Sequence, residues 1–531
     1  MAGGHAGPLI LFEFVLLVFV SLQRAKVGAG SSRNGRWEVL LNSTGVVPMH
    51  MALTRFDTVL MFDQTGAGPS QYRLRRRFSG GPCTRSHHDL EDASCYAHSV
   101  EYDVTKNRVR PLRLESDPWC SSGSILSNGT LLHVGGYGNG FREVRYFRPC
   151  HDHQCDWRQS KAHLAERRWY SSAQLLPEHD RIIIVGGRMA LSYEFVPKMS
   201  STDRTHDLPL LHRTYDAGAG GNNLYPFIHL SSDGGSRSYP SSGSSVILPL
   251  EHSNRYEKVE VMICGGAATG AYPMAGKGSY LQGLKSCGRL EITGSNHRWK
   301  MENMPGPRLL NDMIILPTGN ILIINGAHKG SAGYTNAANP ALQPYLYKPK
   351  KTLGRRFSVL KSTKIARLYH SSSILLPNGR ILVAGGNPNF NYTFSHVKHP
   401  TELRLEAFIP HYMDRQYHDY RPMNLSVHLG SKENIARYGE DFSMRFHLGR
   451  RPSNDIKFTL YSPPFTTHSL SMNQRMLVLR CKSLVREGKG LVTATVEAPP
   501  SPKVAPSGYY MLTVVNGGIP SFSKWVRITH A

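Results

Sequence analysis

The stretch that decides the fold is SSSILLPNGRILVAGG, residues 371–386. Two short apolar runs flank a Pro-Asn-Gly turn, and the second run ends in a pair of glycines. Apolar runs of this length around Asn-Gly are typical of a β-hairpin. The same arrangement occurs four times upstream, so the chain contains repeated hairpins. The other copies are SILSNGTLLHVGG (124–136), SAQLLPEHDRIIIVGG (172–187), SSVILPLEHSNRYEKVEVMICGG (244–266) and NDMIILPTGNILIING (311–326).

The spacing of these copies predicts a β-propeller. From one closing residue pair to the next the chain advances 51, 79, 60 and 60 residues, and a period near 50 with paired glycines is typical of kelch repeats. Within the step of 79, NLYPFIHLSSDG (223–234) starts a hairpin that has no second strand, so we expect a truncated unit that lacks about 30 residues. With a degenerate first unit, MALTRFDTVLMFDQTG (51–66), seven blades are predicted.

The pattern changes near residue 401, where alternating strands such as DIKFTLYS and LVTATVEA replace the hairpin repeat. This alternation predicts an antiparallel β-sandwich of the immunoglobulin size class. The predicted all-β fold is therefore a seven-bladed kelch-type propeller over 30–400, followed by a sandwich over 401–531. With 50 glycines, 33 prolines and 19% charged residues, the composition excludes wholesale disorder and a coiled coil.

The N-terminus predicts secretion. Residues 8–22 read PLILFEFVLLVFVSL and are too short for a comfortable membrane span, and Val27-Gly28-Ala29 suits signal-peptidase cleavage. We predict a signal peptide over 1–29 and an extracellular protein of the cell wall or apoplast; a signal anchor or a buried strand stays an alternative. Four glycosylation sequons agree with secretion, and they begin at Asn42, Asn128, Asn391 and Asn424.

Six of the eight cysteines form short local pairs that predict disulfides of an oxidising compartment. The pair of Cys150 and Cys155 has His151 and His153 between its members, so zinc binding stays a weaker alternative there. Two cysteines remain: Cys481, expected to be a buried free thiol, and Cys120. The predicted pairs are Cys83 with Cys95, Cys150 with Cys155 and Cys264 with Cys287.

The net charge of +25 permits nucleic acid, anionic lipid or acidic polysaccharide as a partner. Predicted secretion disfavours nucleic acid, and no membrane partner is expected after signal removal. The basic clusters Arg73–Arg77 and Lys348–Arg356 are interpreted as a surface for acidic wall polysaccharide or as a solvated surface. The oligomeric state is not determined by the sequence.

Residues just before the hairpins share a register. Cys120 lies 15 residues before its closing pair, and Tyr170 and Tyr369 each lie 16 residues before theirs. Equivalent positions of propeller blades surround one axis, so these side chains are predicted to converge. A single tyrosine there is usually packing, but a cysteine and two tyrosines in one register, with His370 next to one of them, are harder to explain that way. Tyr239 precedes the 244–266 unit and lines the same pocket or packs beside it.

These motifs together resemble the copper-radical oxidases, and among them the glyoxal oxidases and galactose-oxidase-like aldehyde oxidases. The resemblance extends from about residue 37 to 529 and includes WCSSGSILSNGTLLHVGG, RRWYSSAQLL, NNLYPF, RSYPSSGSS, LYHSSSILLPNGRILVAGGNPN and TTHSLSMNQR. It implies copper held by Tyr170, Tyr369, His370 and His468, with a thioether between Cys120 and Tyr170. His468 then has to reach the propeller axis on a finger formed by residues 461–475.

The resemblance implies that Tyr170 carries a radical, that Tyr369 acts as general base, and that small aldehydes become carboxylic acids while dioxygen becomes hydrogen peroxide. The chain departs from the family in its truncated blade. The motifs assign no tryptophan to a position over the pair of Cys120 and Tyr170, where galactose oxidases have one, and this argues against their sugar specificity. An oxidase of primary alcohols or sugars, and a non-catalytic propeller that binds a glycan or a protein, stay open as alternatives.

Overall fold

The computed structural model describes residues 34–74, 95–177, 180–200, 203–215, 224–226, 238–429 and 434–530. Strands dominate these residues, which confirms the all-β prediction, and the two α-helices described are single turns, α1 (Pro209–Arg213) and α2 (Ala271–Ala275). Short 3-10 turns cover Thr65–Ala67, Gly138–Gly140, His252–Asn254, His411–Met413 and Arg415–Tyr420.

The strands follow one another through the whole described chain. Those up to residue 303 are β1 (Arg36–Leu41), β2 (His50–Leu53), β3 (Thr58–Phe62), β4 (Ser99–Asp103), β5 (Arg108–Leu112), β6 (Ser122–Ile125), β7 (Leu131–Val134), β8 (Val144–Phe147), β9 (Trp157–Gln159), β10 (Ser172–Leu175), β11 (Ile182–Val185), β12 (Ser192–Val196), β13 (His206–Asp207), β14 (Ser244–Ile247), β15 (Leu250–Glu251), β16 (Glu260–Cys264), β17 (Ser286–Glu291) and β18 (Lys300–Asn303). Those that follow are β19 (Asp312–Ile315), β20 (Ile321–Ile324), β21 (Ala327–Gly330), β22 (Ala337–Pro340), β23 (Tyr345–Tyr347), β24 (Phe357–Val359), β25 (Ser371–Leu375), β26 (Ile381–Gly385), β27 (Leu405–Ile409), β28 (Met423–His428), β29 (Ile435–Arg437), β30 (Asp441–His447), β31 (Ile456–Ser462), β32 (Phe465–Thr467), β33 (Leu470–Met472), β34 (Arg475–Val478), β35 (Cys481–Gly488), β36 (Leu491–Glu497), β37 (Gly508–Asn516), β38 (Ile519–Pro520) and β39 (Lys524–Thr529).

Each of the five repeated hairpins forms the first two strands of a four-stranded antiparallel sheet: β6–β7, β10–β11, β14–β16, β19–β20 and β25–β26. A further set, β2–β3–β4–β5, comes from the degenerate first unit. The sheet of β25 to β27 takes β1 as its fourth strand, so the start of the described chain completes the last repeat. The described residues thus contain six such sheets. The truncated unit at 223–234 falls mostly outside them, and its described part forms only a bridge between Leu224 and Tyr239.

The glycine pairs join neighbouring sheets. The N–H of Gly136 donates to the carbonyl oxygen of Arg168 in the next repeat, at 3.1 Å. Gly135 has a φ of +77°, and a Cβ there would lie 2.1 Å from the same oxygen, so no other residue permits this approach. The Arg168 guanidinium in turn donates to the carbonyl of Gly186, the first glycine of its own unit, at 2.9 Å. Apolar side chains of adjacent sheets pack together around these junctions.

The C-terminal part consists of two sheets. One has the order β28-β30-β36-β35 and the other β15-β34-β31-β37-β39-β29, with β38 beside β37. Buried side chains such as Phe446, Phe458 and Val492 form the core of this part. Strand β27, at residues 405–409, still pairs with β1 and β26, so the repeat region extends beyond the predicted boundary at residue 400.

The hairpin of β32 and β33 is a finger from the C-terminal part. Strand β32 pairs with β2, and the hairpin touches the first strands β6, β10, β14, β19 and β25 of the other five sheets. Its two-residue turn is His468-Ser469, with φ values of +46° and +72°, as a tight hairpin turn of type I′ requires. The predicted finger therefore lies among the first strands of all six sheets and presents His468 at its tip.

Two predicted disulfides are confirmed, Cys150–Cys155 and Cys264–Cys287, so the sulfurs of the first pair are not zinc ligands. Cys83 lies outside the described residues, and its pairing with Cys95 stays a prediction. The prediction that Cys481 is buried is wrong, because this free thiol begins the edge strand β35, whose side chains face solvent. Among the described residues no helix has the length and apolar character needed to span a membrane.

Candidate active site

Strand pairing refines the register of the residues that precede each hairpin. Ser122, Ser172 and Ser372 pair with the residue just before their closing pairs, and the 172–187 unit contains one extra turn residue. The residue equivalent to Tyr170 is therefore His370, and Tyr369 takes the preceding position. At the equivalent position each of the five repeated hairpins has a left-handed backbone: Cys120 (φ 54°), Tyr170 (66°), Ser242 (51°), Leu310 (57°) and His370 (60°).

This repeated conformation positions the site. Non-glycine residues with positive φ are strained and persist only where the surrounding structure holds them, often at functional sites. Here the strain recurs just before the first strand of all five repeated hairpins, around the finger that carries His468. The fold thus directs side chains from distant parts of the chain to one point.

The five predicted site residues meet at this point and all are buried. The Cys120 sulfur lies 3.3 Å from Nε2 of His468, and ligand atoms of Cys120, His370 and His468 all lie within 4.8 Å of one another. The Tyr369 ring stacks on His370 at 3.9 Å between centroids and lies 5.5 Å from His468. The Tyr170 ring lies 6.0 Å from His468.

His370 indicates that this cluster fits a metal ion. Its imidazole is 2% exposed, and neither ring nitrogen has a hydrogen-bond partner. A buried polar group without a partner is costly. Burial lowers the pKa of His370 and of His468 well below the usual range, so both rings are neutral and their nitrogen lone pairs are available. Two imidazoles with phenol oxygens form a donor set suited to copper(II).

The acidic groups of the site also fit a bound metal ion. Burial raises the pKa of Tyr170, Tyr369 and Cys120 well above their usual values. These groups keep their protons as long as no cation is near. A metal ion inverts this preference, because its charge stabilises a phenolate in surroundings of low dielectric constant.

The structure places two tryptophans that the sequence analysis did not assign to the site. The Trp169 ring lies 4.8 Å from Tyr170, and Trp119 lies 5.0 Å from Trp169. Trp119 and Trp169 directly precede Cys120 and Tyr170, as Tyr369 directly precedes His370. The repeat register contained this signal, because the residues before the left-handed position also face the site.

Two further tyrosines reach the site, Tyr225 of the truncated unit and Tyr239 just before the 244–266 unit. The Tyr239 hydroxyl lies 3.2 Å from that of Tyr170 and 2.7 Å from that of Tyr369. The Tyr225 ring lies 5.3 Å from His468. The truncation therefore spares the five predicted residues but adjoins two residues that touch them.

A second group of buried histidines lies beside the site. His50 Nδ1 donates to the Phe62 carbonyl at 3.3 Å, and Arg145 donates to His133 Nδ1 at 3.3 Å. His133 Nε2 then carries its proton and donates to Ser121 Oγ, whose hydroxyl donates to His50 Nε2 at 3.2 Å. Burial lowers the pKa of His50 to about 3. The result is a chain of hydrogen bonds with one direction, from the charged guanidinium of Arg145 through neutral His133 and Ser121 to neutral His50.

Family models match both parts of the chain. The model described as "Glyoxal oxidase N-terminus" matches residues 49–236 and 233–412, and "Galactose oxidase-like, Early set domain" matches residues 421–528. The first match is divided at 233–236, where the repeat spacing predicts missing residues.

Similar proteins cover nearly the whole chain. "Aldehyde oxidase GLOX" of Vitis pseudoreticulata is 38% identical over 93% of this chain and 97% of its own length. "Aldehyde oxidase GLOX1" of Arabidopsis thaliana is 38% identical over 94% of this chain and 86% of its own length. A solved structure described as "Novel fungal alcohol oxidase with catalytic diversity among the AA5 family, in complex with copper" superposes with a TM-score of 0.65 at 16% identity, covering 93% of this chain and all of that one.

The fold and the buried donors place the chain among the galactose-oxidase-like β proteins. Within this class the chain belongs to the glyoxal oxidase family.

Proposed function

We propose that the protein is a copper-radical oxidase that converts aldehydes of the glyoxal and methylglyoxal class to carboxylic acids and reduces dioxygen to hydrogen peroxide. The observation that carries this proposal is His370, a buried imidazole with two unpartnered nitrogens beside His468 and Cys120. The aldehyde oxidases among the relatives support the substrate class. An alcohol or sugar oxidase is less favoured, since the galactose oxidase match covers only 42% of this chain.

The residues that would hold copper are Tyr170, Tyr369, His370 and His468, which supply two oxygens and two nitrogens. Bound copper would take one electron from the substrate and pass electrons on to dioxygen. The finger contributes His468, so the C-terminal part is needed to complete the site. Buried tyrosines and aliphatic side chains, with the half-buried Trp119 and Trp169, surround these donors and limit the access of water.

Cys120 and Tyr170 are proposed to form a thioether. The thiol of Cys120 and the phenol of Tyr170 are close enough in the buried site for each to shift the pKa of the other. A bond from Sγ to a carbon of the Tyr170 ring removes two hydrogens, which reduce one dioxygen to hydrogen peroxide. Sulfur donates electron density to the ring, so the ring is more easily oxidised to a radical.

In the proposed reaction the aldehyde hydrate passes its hydroxyl proton to the Tyr369 oxygen, which acts as general base. The Tyr170 radical takes the hydrogen atom from the carbon that carries the hydroxyl groups of the hydrate. The overall reaction is RCH(OH)₂ + O₂ → RCOOH + H₂O₂. The two tyrosines thus have different tasks, and their bound oxygens have to be held in fixed positions.

The finer architecture is part of the proposal. The five four-stranded repeat sheets and the set β2–β5, completed by the truncated unit, are proposed to form a seven-bladed kelch-type propeller with one shortened blade. The two C-terminal sheets are proposed to form an immunoglobulin-like sandwich. Support comes from the finger, which touches the first strand of all six sheets.

Secretion through a signal peptide over residues 1–29 is also proposed, with the cell wall or apoplast as the site of action. The disulfides and the exposure of all four sequon asparagines support it, since glycans need exposed acceptors. The cluster Lys348–Arg356 is proposed to face acidic wall polysaccharide. The exposed asparagines are Asn42, Asn128, Asn391 and Asn424.

The test is to express the protein with copper and to measure hydrogen peroxide formed from glyoxal or methylglyoxal in air, beside a panel of alcohols and sugars. We expect copper-dependent peroxide from the aldehydes. Properly folded, copper-loaded protein that makes none from any aldehyde contradicts the proposal. Mass spectrometry should find peptides of Cys120 and Tyr170 joined and two hydrogens lighter than the separate peptides. Cys120→Ser should retain copper and lose most of the activity.

A further inference from the structure

We propose that Tyr239 is a positioning residue of this site, whose hydroxyl makes the two ligand tyrosines unequal by donating a hydrogen bond to Tyr369. The inference rests on the proposed function, because it concerns the bound state of Tyr170 and Tyr369. It assigns a task to a residue that lies just before the 244–266 unit and is not one of the five predicted site residues.

The position of Tyr239 is well defined. Its side chain is 7% exposed, and its ring lies 4.6 Å from that of Tyr170 with planes 32° apart. The neighbouring backbone is held on two sides: the Pro240 carbonyl accepts from Ala332 at 2.9 Å, and the Ser242 carbonyl accepts from Leu310 at 2.8 Å. The Tyr239 hydroxyl is therefore carried into the site by a segment anchored to the neighbouring repeats.

The hydrogen-bond inventory distinguishes the two contacts. A phenol hydroxyl has one hydrogen to donate. Two phenolates that bind a cation can only accept, so Tyr239 can serve one of them. The contact to Tyr369, at 2.7 Å, is shorter than the contact to Tyr170, at 3.2 Å, so the Tyr239 hydroxyl lies nearer to the Tyr369 oxygen. Tyr369 is therefore the expected acceptor.

This asymmetry matches the two tasks. A phenolate that accepts a hydrogen bond is less electron-rich and harder to oxidise than one that does not. Tyr239 thus orients the general base and leaves the Tyr170 ring as the easier one to oxidise. Packing alone does not explain a tyrosine here, because phenylalanine fills the same space. Tyr225, from the truncated unit, uses its hydroxyl differently and donates to the Ser121 carbonyl at 2.9 Å.

The experiment compares copper-loaded wild type and Tyr239→Phe by the absorption band for charge transfer from phenolate to copper(II). We expect the band of Y239F at longer wavelength, since an unpartnered phenolate is more electron-rich, and kcat about tenfold lower with KM within about twofold. Tyr412→Phe is the matched control. It removes a buried hydroxyl that donates to the Gly379 carbonyl at 3.0 Å and lies far from the site.

Resonance Raman spectra of the wild type provide a second measurement that needs no variant. In D₂O only one of the two phenolate C–O stretches should move, the one that accepts the Tyr239 hydrogen bond. An unchanged band in folded Y239F, or two stretches insensitive to D₂O, overturns the inference while the proposed function stands. A wild type with no copper charge-transfer band overturns both.

Discussion

Two groups of buried histidines lie side by side in this protein and differ in one respect. The network pair, His50 and His133, has rings 6.1 Å apart, and the site pair, His370 and His468, has rings 5.0 Å apart. In the network pair every ring nitrogen has a partner within the chain. In the site pair both nitrogens of His370 have none.

The difference separates structural from functional histidines. Burial of a polar group is tolerated when its hydrogen bonds are replaced, and the network replaces all of them. His370 is held instead by its stack on Tyr369. Its ring nitrogens have no hydrogen-bond partner and lie near the other potential metal ligands, Cys120 and His468. An unpartnered nitrogen alone is not sufficient: His98 also lacks partners, but in the described part of the chain it belongs to no group of potential metal ligands.

The largest effect is expected from His370→Ala. Loss of one nitrogen ligand should lower copper affinity about a hundredfold or more and abolish peroxide formation. A chelator competition and the peroxide assay measure both. The copper-free variant should stay folded, because no partner of His370 loses a hydrogen bond. Copper affinity equal to that of the wild type would show that His370 is not a copper ligand, and the distinction between the two histidine pairs would then be wrong.

His133→Ala should have the opposite profile. It leaves the Ser121 hydroxyl and the buried guanidinium of Arg145 each short of one partner, so the free energy of unfolding should fall by about 3 kcal/mol. Copper affinity of the folded fraction should change little. Denaturant titration measures the loss. His163→Ala is the matched control, since this half-exposed histidine should cost less than about 0.5 kcal/mol.

Ser121→Ala interrupts the network at its centre. It leaves His133 Nε2–H without an acceptor and His50 Nε2 without a donor, at a cost of about 1 to 2 kcal/mol in the free energy of unfolding. Peroxide formation per folded molecule should persist, because only the serine backbone touches residues of the site. A variant with normal stability and no activity would contradict the assignment of Ser121 to a structural network.

Asp63→Asn extends the comparison to a buried carboxyl. Burial raises the pKa of Asp63 from 3.8 to about 8, and its Oδ1 has no partner. Its contribution to stability is complete below pH 3.8 and is lost as pH rises through 8, because the unfolded carboxyl releases its proton first. D63N should therefore match the wild type near pH 4 and exceed it in stability at pH 8 to 9.

Urea denaturation of both proteins across this range measures the difference between them. Subtracting one from the other also cancels the opposite pH dependence of the buried histidines. Equal curves at every pH would mean that Asp63 is charged in the folded protein at neutral pH.

The sequence was sufficient for the local elements. All five quoted hairpins form, because apolar runs around Asn-Gly and similar turns encode their own pairing. The convergence of Cys120 and Tyr170 followed from repeat register. The same register misplaced Tyr369 by one position, since the 172–187 unit has one extra turn residue and counting from the closing glycines does not detect it.

Long-range pairing escaped prediction. Nothing local to Arg36–Leu41 indicates that β1 completes a sheet with β27, more than 360 residues later. The exposure of Cys481 follows from the edge position of β35, which depends on the order of strands in the sheet. Trp169 was missed because its neighbour Tyr170, and not Trp169 itself, stood in the aligned position.

The sequence by itself determined the repeated hairpins, the all-β class and the residue types that a copper site needs. Tertiary structure alone decided which buried imidazoles have partners and which do not. His50, His133 and His370 are similar in type and burial, and only the packing of finger and sheets makes the first two structural. The physical reason is that hydrogen bonds act over about 3 Å, a distance set by the fold rather than by position along the chain.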